Sequence, residues 1–149
     1  MLEFLRRLFE YDKWALDRSL STLKEPENSR ALAALSHVLL AEKIWLARLN
    51  GKDSSTIAVF DVLSIEECQK LSSELNAAYL NYIDALTKMD LGRIIAYKNT
   101  KGEPFQTSVS DILTHVGLHG IYHRGQIALL VREGGGTAIG TDYILYTRL

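Results

Sequence analysis

Apolar residues recur at helical intervals along four long stretches of the chain. Over about residues 2–23, Leu5, Leu8, Phe9, Leu16, Leu20 and Leu23 fall on one side of a helix. Pro26 follows, and because proline disfavours helix at the residue before it, residues 24–28 are predicted to end this element. A second helix is predicted over about residues 29–50. Leu35, Leu39, Leu46 and Leu49 make its apolar side, Ser36, Lys43 and Asn50 repeat as a polar stripe, and Asn50-Gly51 is a C-terminal stop. In the third, Ser64 and Glu67 have the spacing of a capping box. Cys68, Leu71, Leu75, Ala78, Tyr79, Tyr82 and Leu86 then trace the cleanest helical face in the chain, to about Met89. The fourth helix starts under a Ser108 or Ser110 cap and runs to about Glu133, where Gly134-Gly135-Gly136 stops it.

The stretches between these helices carry different signals. Residues 51–63 are too long for a tight turn and suit a crossover that returns the chain to the other end of a bundle. In residues 92–107, Arg93-Ile94-Ile95-Ala96-Tyr97 reads as a short strand, Thr100-Lys101-Gly102 as a turn, and Pro104-Phe105-Gln106-Thr107 as a returning strand. The tail, residues 137–149, is predicted to pack across the bundle through Tyr143, Leu145 and Tyr146. The expected fold is therefore all-α: a four-helix bundle with a crossover between helices 2 and 3 and a short β-hairpin before helix 4. No internal repeat or linker interrupts it, so one domain over residues 1–149 is expected. The only prolines are Pro26 and Pro104, which permits long helices and disfavours an all-β sandwich.

Composition narrows the function classes. A chain of 149 residues can close one hydrophobic core, and an apolar fraction of 47% excludes disorder as its main state. With 17 basic and 18 acidic side chains there is no chain-wide positive field for nucleic acid or an anionic membrane. No run of apolar residues is long enough to span a bilayer, and the charged, amphipathic N-terminus lacks the features of a secretory signal. The single cysteine, Cys68, excludes an internal disulfide and fits a cytoplasmic setting.

The candidate chemistry lies in the histidines. His37 is on the second helix, while His115, His119 and His123 follow at four-residue intervals on the fourth. Residues four apart lie one turn apart on the same face. Two of these imidazoles can grip one ion, and His37 can supply a third ligand from a neighbouring helix. Three protein ligands with an open position are typical of catalytic rather than structural zinc, and nickel, iron and manganese accept similar donors. On a helical wheel with Ile112 at zero, Val116, Ile127 and Leu130 cluster around about 25°, with His123 near about 20°, His119 near about −20° and His115 near about −60°. His119 and His123 thus share this apolar stripe and His115 lies at its edge. Leu118, Ile121 and Leu129 form a second apolar face almost opposite, so the wheel leaves the choice of pair open. That second face needs cover, for which a second subunit is one candidate. The bland alternative is a set of partly exposed or core histidines without an ion. His37 sits among Ala33, Ala34, Leu40, Ala41 and Ile44, where a metal ion would be one partner and a carboxylate another. Gly120 after His119 excludes an H-E-x-x-H metalloprotease motif.

The run Asp111-Ile-Leu-Thr-His115-Val-Gly-Leu-His119-Gly-Ile-Tyr-His123-Arg-Gly-Gln-Ile127 resembles the signature of the DinB-like family, the damage-inducible four-helix-bundle proteins. Leu35-Ser-His37-Val-Leu-Leu-Ala-Glu42-Lys-Ile-Trp45-Leu-Ala-Arg48-Leu resembles that family's second helix, and Tyr11-Asp-Lys-Trp14-Ala15 its first. The likeness spans nearly the whole chain and is most specific at His-Arg-Gly-Gln. It implies a bundle with a crossover between helices 2 and 3. It also implies one divalent metal ion, zinc or nickel first and iron or manganese next, on His37, His119 and His123. His115 is common in such sequences but is not the usual ligand. The wider superfamily includes S-transferases that use bacillithiol or mycothiol and a thiol-dependent isomerase, and many members are dimers.

The resemblance thus points to a metal-dependent enzyme, a thiol S-transferase or a small hydrolase, acting on a small-molecule thiol and an electrophile. A homodimer is expected, with neither nucleic acid nor membrane as partner. The alternatives are a non-catalytic metal-binding bundle serving in stress response or interaction, and a metal-free dimer with structural histidines. Cys68 lies on the core stripe of helix 3 and is a poor nucleophile, so a thiol would come from a cosubstrate. Glu42, Asp111 and Gln126 are candidates to hold the outer nitrogen of a ligand histidine, with surface or capping roles as the alternative. Arg124 reads as an anion holder or, more simply, an interhelical ion pair. Tyr11, Trp14, Trp45, Tyr97 and Tyr122 are candidates to line a pocket, against an ordinary place in the core.

Overall fold

The computed structural model describes residues 1–24, 27–99 and 101–149. The elements in order are α1 (Leu2–Leu20), α2 (Ser29–Leu49), α3 (Ile65–Asp84), a 3-10 turn (Asp90–Gly92), β1 (Ile94–Lys98), β2 (Pro104–Ser108), α4 (Val109–Glu133) and the one-turn α5 (Tyr143–Tyr146). The predicted stop at Pro26, and Thr100 of the predicted turn, lie outside the described residues.

Local chemistry sets most boundaries. The capping box forms: Ser64 Oγ accepts from Glu67 N at 3.1 Å and Glu67 Oε2 accepts from Ser64 N at 2.8 Å. Ser108, rather than Ser110, caps α4 by accepting from Asp111 N. Both long stops are glycine-dependent. Gly51 (φ 66°) and Gly135 (φ 78°) take the left-handed conformation, and each closes a pair of backbone bonds onto the last turn, Lys52 N to Ala47 O and Gly136 N to Val131 O among them. Two ends differ from expectation. α1 is helical only to Leu20, although Leu23 still buries beneath the following turn. α3 ends at Asp84 rather than Met89, because Asp90 Oδ2 accepts from both the backbone N and the hydroxyl of Thr87. Such side-chain bonds offer the backbone an alternative to helix. The hairpin pairs Ile94 with Ser108 through Lys98 with Pro104, antiparallel.

Cross-helix contacts give the direction of each helix. Ser36 meets Cys68, Glu42 O accepts from the Tyr79 hydroxyl, and Leu49 O accepts from the Tyr82 hydroxyl, so α2 and α3 run parallel. Phe9 contacts Asn76 and Arg6 pairs with Asp84, so α1 and α3 run antiparallel. Arg30 reaches Glu133 and Trp45 packs on His115, so α2 and α4 are antiparallel. The topology is up-down-down-up, with α1 and α2 each packed between α3 and α4. Parallel neighbours α2 and α3 require the chain to cross the length of the bundle, which residues 50–64 do.

The core lies in two apolar halves. One is built on Leu16, Leu20, Leu35, Leu39, Cys68 and Ile127, the other on Leu5, Phe9, Tyr79, Ile112, Leu113 and Val116. Between them lie Asp12, Glu42 and Arg124, one from each of α1, α2 and α4, all buried. Arg124 Nη1 donates to Asp12 Oδ1 in an interhelical ion pair. Small residues in α4 allow the close approach of α1. A Cβ at Gly117 would stand 2.5 Å from Leu8, and one at Gly120 would stand 2.6 Å from Asp12 Oδ1. Ser36, read as part of a polar stripe, is fully buried. It donates to Leu32 O and accepts from Leu63 N, tying the crossover to α2. Tyr143 and Tyr146 of the tail pack against Tyr11, whose hydroxyl donates to Thr141 O.

Candidate metal centre

α2 and α4 run antiparallel with their sequence stripes facing, and this brings three histidines from two elements to one point. Nitrogen atoms of His37, His119 and His123 all lie within 4.8 Å of one another. Zinc bound at about 2.1 Å by each nitrogen needs them within about 4.2 Å, a closure that small ring rotations supply. The donor set is all imidazole, and each ring is half-buried. Ring centroids are 4.9 Å apart for His37 and His123, 5.3 Å for His37 and His119, and 4.4 Å for His119 and His123.

Hydrogen bonds orient two of the three rings. His37 Nδ1 is 3.1 Å from the carbonyl oxygen of Val59, and His123 Nδ1 is 2.7 Å from Gln126 Oε1. Both partners are acceptors, so each Nδ1 carries the proton and each Nε2 presents a lone pair. The electrostatics keep the donors neutral. Burial, followed by the fields of His123, His37 and His115, lowers the pKa of His119 to about 4. Burial also lowers His123, against the hydrogen bond it donates to Gln126, and lowers His115. A neutral imidazole is the form that ligates.

The crossover completes the site. Besides the Val59 carbonyl, it places Phe60 parallel to the His37 ring at 5.2 Å, with an interplanar angle of 6°. Phe60 is otherwise 82% exposed. Neither group was picked out from sequence. A backbone carbonyl has no residue signature, but an aromatic residue in the crossover is a signal for Phe60. His115 stands apart from the three: its ring is exposed, 5.5 Å from His119 and 5.2 Å from Trp45.

The other candidates separate cleanly. Gln126 holds His123, while Asp111 serves the N-terminus of α4. Glu42 does neither, and it is not on the surface. It is buried beside Asp12 and Arg124, where burial and then Asp12 raise its pKa well above the ordinary carboxyl value, Arg124 opposing. Arg124 is an interhelical partner, 2% exposed. Burial works against its charge, but Asp12 outweighs this and raises its pKa. Tyr11 and Trp14 belong to the contact with the tail, whereas Trp45 and Tyr97 pack edge-to-face at 5.1 Å beside His115. Tyr122 is 65% exposed and touches His123 edge-on. Cys68 is fully buried beside Ser36, in the core.

Comparison with known proteins agrees in fold and extent. The model of the DinB family matches residues 3–149. The chain is 31% identical to Protein DinB of Bacillus subtilis (strain 168) over 165 aligned positions, covering 98% of this chain and 95% of that one. It is 20% identical over 117 positions to the uncharacterized protein YizA of the same organism, covering 76% and 70%. A crystal structure of a DinB-like protein from Bacillus cereus ATCC 10987 shares the fold, with a TM-score of 0.74 at 21% identity, covering 93% of this chain and 95% of the other.

Proposed function

The chain belongs to the DinB family, and we propose that it binds one divalent transition metal ion through His37, His119 and His123. The observation that carries this reading is the convergence of three half-buried imidazoles with no carboxylate among them, two of them with Nδ1 already committed to an acceptor. Neutral nitrogen donors favour zinc or nickel, with iron or manganese next. A bound ion of this kind lowers the pKa of a coordinated water or thiol and polarises a carbonyl.

A three-histidine set leaves a fourth coordination position free, which favours a metal-dependent enzyme of the thiol S-transferase or small-hydrolase type over a closed structural site. In that reading the chain holds the three rings fixed, Val59 and Gln126 set their orientation, and Phe60 shields one flank from water. A low-molecular-weight thiol supplies the nucleophile, since Cys68 is buried in the core. The second reading is a non-catalytic metal-binding bundle. Zinc- or nickel-loaded protein, screened with small thiols against an electrophile such as monochlorobimane, separates the two. Thiol consumption that depends on added metal and disappears in His119→Ala supports the enzyme. No turnover by the loaded protein across the panel supports the second.

The protein is further proposed to be a homodimer. Leu118, Ile121 and Leu129 of α4 are 58%, 41% and 55% exposed, and Gly125 among them has nothing within 4 Å of where a Cβ would stand. Such a face admits close approach of another helix.

A further inference from the structure

Three turns along α2 from His37, on the same side of the helix, stands Arg48. Its guanidinium lies in the corner formed by the edge-to-face rings of Trp45 and Tyr97, 4.6 Å from the centre of each. Nη2 donates to the carbonyl oxygen of Lys98 at 3.0 Å, so the group is held by two rings and one hydrogen bond. Among the described residues, no carboxylate forms an ion pair with it. A half-buried, immobilised guanidinium without a counter-ion is uncommon, because burial disfavours the charge while nothing nearby balances it.

Arg48 opens onto a cavity of about 580 Å³ between the end of α2, the first residues of the crossover and β1. Lys52 and Lys98 also line this cavity. Among the described residues the one acid in its wall is Asp53, whose two oxygens accept from the backbone N and the hydroxyl of Ser55. Three cationic residues and one carboxylate that is already engaged therefore line this cavity among the described residues. We propose that this cavity is an anion-binding subsite, in which Arg48, Lys52 and Lys98 receive a carboxylate or phosphate group of a small molecule. Arg48 supplies the fixed, fork-shaped donor that such oxygens match, and the lysines add point charge.

The cavity is joined to the histidine cluster by a wall of rings. His119 is 5.5 Å from His115, His115 is 5.2 Å from Trp45, and Trp45 carries Arg48. An extended molecule with a metal-binding donor at one end and an acid group at the other spans both. This last step rests on the metal reading, whereas the anion subsite does not.

The test uses metal-free protein labelled with 15N, titrated with malonate and separately with inorganic phosphate, at ionic strength held constant with sodium chloride. The Arg48 Nε–H, shielded from solvent and without a hydrogen-bond partner, is the reporter. Saturable shifts at this signal and at the amides of residues 51–55 and 97–99 are expected. Comparison of malonate with phosphate tells which acid the site prefers. Arg48→Gln raises the apparent Kd about tenfold or more. Because this change also removes a contact to the hairpin, Lys52→Gln and Lys98→Gln, at exposed side chains, serve beside it and each raise it about 2–3-fold. His119→Ala leaves the titration unchanged, which separates this site from the metal reading. Shifts that do not saturate with either anion, or that survive in all three charge variants, overturn the proposal and leave Arg48 as a clamp between α2 and the hairpin.

Discussion

His119 stands deepest in the histidine cluster, and its titration ties the site to stability. In the unfolded chain an imidazole titrates near about 6.5, whereas in the folded, metal-free protein His119 titrates at about 4. Between these values the unfolded chain binds more protons. The stability due to the neutral ring is therefore fully present above about pH 6.5 and is lost as the pH falls toward 4. Urea midpoints of the metal-free protein should fall over this window more steeply than those of His119→Gln, and parallel declines would contradict the account. At this scale the sequence was informative about type and poor about partners. The four-residue spacing and the wheel put His119 and His123 on one apolar stripe with His115 at its edge but left open which face turns inward; in the structure His119 and His123 are half-buried and His115 is exposed. Glu42 gave no such clue. Its place in a buried cluster with Asp12 and Arg124 depends on three helices meeting at one level, and no spacing within one helix encodes that.

At the scale of elements, α4 carries both His123 and the side chain that orients it, one turn on. Gln126→Ala should lower metal affinity about 10–100-fold, measured by competition with a chelating dye. An unchanged affinity would show that the 2.7 Å contact to His123 Nδ1 plays no part in binding. The helices were legible because their starts and stops have local chemistry: a capping box at Ser64, a serine cap at Ser108, and glycines just past Leu49 and Glu133. The end of α3 was not, since Leu86 continues the apolar period while the Thr87–Asp90 turn breaks the helix before it. The crossover was legible in length alone. That it delivers the Val59 carbonyl and Phe60 to His37 follows from the path of the loop, which apolar periodicity does not describe.

At the scale of the whole molecule, the up-down-down-up order sets α2 beside α4 and so makes a site between residues far apart in sequence. The same packing leaves one face of α4 uncovered, with Leu118 and Leu129 more than half exposed. Sedimentation at micromolar concentration should give a dimer of about 33 kDa from the 16.7 kDa chain, shifted toward monomer in Leu118→Glu. A monomer in the unaltered protein would leave that face without its proposed partner. The central claim is the metal site, and the most direct measurement is elemental analysis by inductively coupled plasma mass spectrometry. Untagged protein purified without chelators is compared with His37→Ala, His119→Ala, His123→Ala and His115→Ala. The account predicts about one equivalent of a divalent transition metal in the unaltered protein, lost in the first three variants and largely kept in the last. No metal in the unaltered protein and no uptake when zinc or nickel is added, or loss that is equal in all four variants, would contradict it.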